Sequence, residues 1–158
     1  MELRLESTKN VDNKRVNIYK IGRYTVRQTV YQDSSFYVEV RAKRDDYLPA
    51  IYAREDLQCN VTGFEIQTTS YGALSAEETK KMIAALNEAI EVVEILTAKF
   101  VKFWTIKYLE NGTEKTMTVF GTPKDTEKAL EKIKAKGFVV TNLENSEGRK
   151  YYPMVNAQ

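Results

Sequence analysis

Between residues 15 and 42, apolar and polar side chains alternate with a period of two. In residues 23–31, Tyr24, Val26 and Val30 fall on one side of an extended chain. Arg23, Thr25, Arg27, Thr29 and Tyr31 fall on the other. That alternation predicts a strand with one buried face. Residues 16–19 and 36–40 repeat it, and Ile21-Gly22-Arg23 and Gln32-Asp33-Ser34-Ser35 supply turn chemistry between them. Residues 15–42 are therefore expected to form a three-strand antiparallel meander. A weaker strand is expected over residues 48–54, demoted to an edge or a loop by Pro49, which has no amide hydrogen for a ladder. Asp45-Asp46-Tyr47 reads as the turn before it. Alternation returns from Gly63 to Ser70 through Phe64, Ile66 and Thr68.

The period changes at Ser75. Ser75-Ala76-Glu77-Glu78 has the form of a capping box, with Ser75 as N-cap and Glu78 three residues on. Beyond it, Met82, Ile83, Leu86, Ile90, Val93 and Leu96 recur at helical spacings, predicting a helix to about residue 98 that lays this stripe on the sheet. Glu77, Lys81, Glu88, Glu91 and Glu94 are expected on its outside.

Residues 103–109 and 116–120 read as a hairpin joined through Asn111-Gly112. Thr122-Pro123 opens a second helix with the stripe Ala129, Leu130 and Ile133, and Gly137 closes it. Residues 138–141 are a further strand, with another at residues 149–152. The fold class is α+β: an N-terminal antiparallel meander packed on a long capped helix over residues 1–100, then a smaller ββαββ unit over residues 101–158. The two units are expected to pack as one compact body.

Composition removes most catalytic chemistry. The chain has no histidine and one cysteine, Cys59. Triads built on histidine, His- or Cys-rich zinc sites and intrachain disulfides are therefore excluded. Gly121 and Gly137 are isolated, so no Gly-rich phosphate loop is present. Asp33, Asp45, Asp46, Glu55 and Asp56 could hold Mg²⁺ only if three separate turns brought them together, and such residues more commonly bond turn amides. No cofactor and no metal is expected. The N-terminal residues lack an apolar run and no stretch is long and apolar enough for a membrane span, so a cytoplasmic location is expected.

The formal charge is only +2, from 24 basic and 22 acidic side chains, so any basic surface must come from local arrangement. The outward parity of the meander offers one. Arg23, Arg27, Tyr31, Tyr37, Arg41 and Lys43 share it, diluted by Glu39. Arginines neutralise phosphates while tyrosines stack bases or fill protein contact patches. The plain alternative is a solvated sheet face, where Arg, Thr and Tyr are good strand formers.

The stretch Phe64-Glu65-Ile66-Gln67-Thr68-Thr69-Ser70-Tyr71-Gly72-Ala73-Leu74 leading into Ser75, with the α+β layout around it, resembles small accessory proteins of phages and conjugative elements of Gram-positive bacteria. The resemblance covers roughly residues 19–98. Such proteins include inhibitors of host defence nucleases, among them the CRISPR effector Cas9, that act by occlusion without catalytic residues. It implies a non-enzymatic protein-binding module whose partner is a nuclease. Read from residues alone, the alternative is a single-stranded nucleic-acid-binding protein using the meander face. A homodimer through that face or an edge strand is also open.

Overall fold

The computed structural model describes residues 1–44, 47–68, 72–121 and 123–146. The chain divides into two compact units, Met1–Phe100 and Val101–Gln158. Both mix antiparallel strands with one helix, and the class is α+β.

The first unit opens with a strand that alternation does not mark, β1 (Arg4–Val11), followed by β2 (Lys14–Ile21), β3 (Tyr24–Val30) and β4 (Phe36–Ala42). They form a four-strand antiparallel sheet in chain order, so the expected three-strand meander gains an edge strand. β1 is exposed along nearly its whole length, which is why it lacks an apolar rhythm. Lys9 and a bulge between Leu5 and Ser7 protect the edge from pairing with another chain. The two-residue turn Asp12-Asn13 joins β1 to β2 with φ values of 47° and 63°. These are positive angles that Asp and Asn tolerate and that suit the twist of a hairpin.

Register separates the two faces. Leu5, Tyr19, Val26 and Val40 form one cross-strand row, and Ile21, Tyr24 and Ala42 form another on the same side. Tyr19, Ile21, Tyr24, Val26 and Val38 are buried. A polar ladder completes this face: Thr8 Oγ1 donates to Asn17 Oδ1 (3.0 Å), and Asn17 Nδ2 and Tyr19 Oη donate to Gln28 Oε1 (3.1 and 3.4 Å). Slipping any strand by one residue would turn its apolar set to the open face and break the ladder, so the ladder fixes register as well as adding bonds.

β5 (Ala50–Glu55) and β6 (Val61–Gln67) make a separate antiparallel ribbon. Asp45, Asp46 and residues 69–71 lie outside the described residues. The long helix α1 (Ala76–Phe100) starts as expected: Glu78 N donates to Ser75 Oγ (3.1 Å) and Ser75 N to Glu78 Oε1 (3.4 Å). Tyr47 Oη also donates to Glu78 (3.1 Å), and these bonds hold its carboxyl below the usual range, the Ser75 hydroxyl contributing most. Phe100 meets Tyr19, Phe36 and Phe64, with ring centroids 5.7, 6.2 and 6.5 Å apart, so α1 covers the Tyr19 face of the sheet.

The face α1 buries is not the expected one. Ala85, Ala89, Val92, Leu96 and Phe100 are buried, whereas Ile83 and Ile90 are exposed. Only Leu96 is shared with the expected stripe. Large aromatics already fill the sheet side, so the helix approaches through alanine and the bulkier isoleucines turn outward. Glu88, expected outside, is turned to the sheet. Its Oε1 accepts the Arg23 amide (3.0 Å) and its Oε2 the Arg23 guanidinium (2.9 and 2.6 Å). Gly22, at φ +53°, permits that approach, since a Cβ there would lie 2.8 Å from Glu88 Oε1.

In the second unit, β7 (Phe103–Glu110) is flanked by β8 (Thr113–Phe120) and β9 (Val139–Asn145), all antiparallel, with α2 (Pro123–Ala135) between β8 and β9 in sequence. Asn111 and Gly112 take positive φ at the β7–β8 turn as the hairpin requires. Trp104, Ile106, Leu130, Ile133, Val140 and Leu143 form the core. Gly137 at φ 79° closes α2: its amide donates to Lys134 O (2.9 Å) and that of Phe138 to Ile133 O (3.3 Å), the paired bonds of a Schellman end. The Thr122 cap and the strand at residues 149–152 lie outside the described residues.

Candidate functional site

The face of the four-strand sheet opposite α1 is assembled from alternate residues of all four strands. Three cross-strand rows cross it: Arg4, Lys20, Thr25 and Arg41; then Ser7, Ile18, Arg27 and Glu39; then Lys9, Val16, Thr29 and Tyr37. Lys14 and Tyr31 extend it at the end of the sheet where the Asp12-Asn13 turn lies, with Lys14 Nζ 5.2 Å from the Tyr31 ring centroid. That is cation–π distance, and it fixes the ring beside a positive charge. With strand spacing near 4.8 Å and about 3.3 Å per residue, the rows span roughly 14 by 20 Å.

Five cations, Arg4, Lys9, Lys20, Arg27 and Arg41, stand in these rows with Lys14 as a sixth at their end, against one carboxylate, Glu39. Glu39 Oε1 accepts from Arg41 Nε at 3.1 Å on the exposed surface, so the acid is engaged by a neighbour. Tyr37 and Tyr31 present their rings to solvent at 47% and 40% exposure. A sheet face with a large excess of cations and open aromatic rings can neutralise an anionic chain and stack planar groups on it.

Of the six residues expected here, Arg27, Tyr31, Tyr37 and Arg41 share the open face, and all four are exposed. Lys43 is exposed one residue past β4, its amide donating to Arg23 O at 2.9 Å. Arg23 departs from the expectation. Parity puts it with Arg27, but it sits at the end of the β2–β3 turn, where its side chain reaches round to Glu88 of α1. It belongs to the framework. Arg4 and Lys9 were missed because β1 has no apolar alternation, and Lys14 and Lys20 because Val16 and Ile18 stand on their parity while Asn17, Tyr19 and Ile21 of β2 are the buried set. The Asp12-Asn13 turn between Val11 and Lys14 was the signal that could have found them.

A shallow depression of about 520 Å³ opens at the end of the sheet, lined by Asn10, Asp12, Asn13, Lys14, Arg15, Val30, Tyr31 and Ser34. Lys14 and Tyr31 reach it from the open face, whereas Asn10, Arg15 and Val30 form a row of the opposite face. Asp33 stands beside it, its carboxyl held below the usual range by the Ser35 hydroxyl and amide (2.5 and 3.0 Å). Asp56 likewise accepts the amides of Gln58 and Asn60, both at 2.9 Å. Such bonds account for these acids as turn residues. Among the described residues no three His, Cys, Asp or Glu side chains gather as a metal site, and no helix is long and apolar enough to cross a membrane. No family model, no curated protein and no solved structure matches the chain.

Proposed function

We propose that this protein is a binding module whose open four-strand face takes single-stranded nucleic acid. Arg4, Lys9, Lys20, Arg27 and Arg41 contact phosphates, and Tyr37 and Tyr31 stack bases. The supporting observation is six cations against one engaged carboxylate on a face that also exposes two tyrosine rings. A flat sheet with stacking rings suits splayed bases better than the grooves of a duplex, which admit a helix or a two-stranded ribbon. Binding, with no bond made or broken, is the proposed activity.

The occluding inhibitor implied by the family resemblance is the second reading, favoured by the exposed tyrosines, which also suit a protein contact. Charge weighs against it on this face. The nucleic-acid channel of such a nuclease is itself basic, so a basic face would be repelled from it. The test is fluorescence anisotropy of labelled single- and double-stranded oligonucleotides at several salt concentrations. Preferential binding of the single strand, weakening with a log–log slope of about −0.7 per phosphate neutralised, is the expected result. No binding at low salt, with inhibition of a partner nuclease, would replace this reading with the second.

A further inference from the structure

The bulky residues of α1 that do not enter the core form a pattern of their own. Ile83, Leu86, Ile90 and Val93 follow one another at spacings of three, four and three, the rhythm of a two-helix seam. Ile83 and Ile90 are 51% and 48% exposed, and Leu86 and Val93 are half-buried between them and the core stripe. A second set runs along one edge of this seam at spacings of seven: Lys80, Asn87 and Glu94.

We propose that this face of α1 pairs with the same face of a second copy of the chain, the two helices antiparallel about a two-fold axis near Asn87. The charge order along the edge selects that occupant and that direction. In the antiparallel pairing, Lys80 of each copy meets Glu94 of the other, and Asn87 meets Asn87 at the axis. A parallel pairing would set this edge against the opposite edge of the partner's seam, Ser75, Met82 and Ala89, and would give Lys80 and Glu94 no counter-charge. The residues on the other edge of the seam, Met82, Ala89 and Leu96, are half-buried or buried in their own unit and offer no counter-charge. A surface that satisfies its own charges only when rotated by half a turn is self-complementary in the sense a two-fold dimer requires. The open sheet face lies on the other side of the sheet from α1, so dimerisation leaves it uncovered in each copy.

Sedimentation of the full chain tests this. The wild type is expected to show a concentration-dependent dimer. Ile83→Asp with Ile90→Asp is expected to weaken it by more than about 100-fold, since the exposed half of each side chain leaves water only in the dimer and a carboxylate there would be buried unpaired. Lys80→Glu alone and Glu94→Lys alone should each weaken dimerisation about tenfold at low salt, two pairs being lost per dimer, and the double reversal should restore it. These charge variants sit on the surface, so they decide the matter even if the isoleucine variant fails to fold. A wild type that stays monomeric at its solubility limit, or a dimer indifferent to the isoleucine changes, would overturn the proposal. Failure of the double reversal to restore what the single reversals weakened would overturn the antiparallel pairing.

Discussion

Val26 and Arg27 are adjacent in β3, yet they answer to different constraints. Val26 faces α1, is fully buried, and shares its row with Tyr19 and Val40. Arg27 faces solvent in a row whose charges no packing requires. The covered face is determined by volume, register and the Thr8–Asn17–Gln28 ladder. The open face needs only strand-forming residues there, and its excess of cations is therefore informative. Changing one face should cost folding, and changing the other should cost binding alone.

The contrast breaks most violently at Val26. Val26→Asp places an unpaired carboxylate against the helix and should cost at least about 4 kcal/mol, read as loss of the cooperative thermal transition. A smaller effect is expected at Tyr24, whose hydroxyl donates to Pro49 O at 2.7 Å. Burial, with Glu88 nearby, pushes this phenol up to about 12. A group raised on folding stabilises fully below its unfolded pKa near 10 and loses that contribution as pH rises towards 12. Denaturation of the wild type should therefore show about 2 to 3 kcal/mol of extra alkaline loss that Tyr24→Phe lacks.

Glu88→Ala removes the acceptor for both the amide and the guanidinium of Arg23. Because the Arg23 side chain is 38% exposed, the loss should be only about 1 to 2 kcal/mol by urea unfolding. Oligonucleotide affinity should stay unchanged, which separates Arg23 from Arg27. The gentlest test lies on the open face. Tyr37→Ala should leave the thermal midpoint nearly in place and weaken single-strand binding several-fold, as loss of one stacked base would.

Legibility from sequence followed the same division. The alternation of Tyr24, Val26 and Val40 was readable because burial on one side imposes it. The Ser75–Glu78 box and the Gly137 end were readable because local backbone bonds demand those residues. β1 was not, since an edge strand exposed on both sides obeys no apolar rhythm. The face of α1 was misread because apolar size was taken as the sign of burial. Here Ala85 and Ala89 pack while Ile83 and Ile90 stay outside. Arg23 was misplaced because parity describes where a Cβ points and not how far a long side chain reaches. The site was thus half readable, in β3 and β4, whereas in β2 the apolar Val16 and Ile18 stand on the open side and Asn17 on the buried one.

The most direct measurement compares wild type with the Arg27→Glu, Arg41→Glu double variant in the same salt-titrated anisotropy experiment, with thermal midpoints recorded alongside. The expected result is at least a tenfold loss of single-strand affinity, a salt slope shallower by about 0.7 for each phosphate contact removed, and a midpoint unchanged within error. Equal affinity and slope in the two proteins, with both folded, would contradict the assignment of the open face as the binding site.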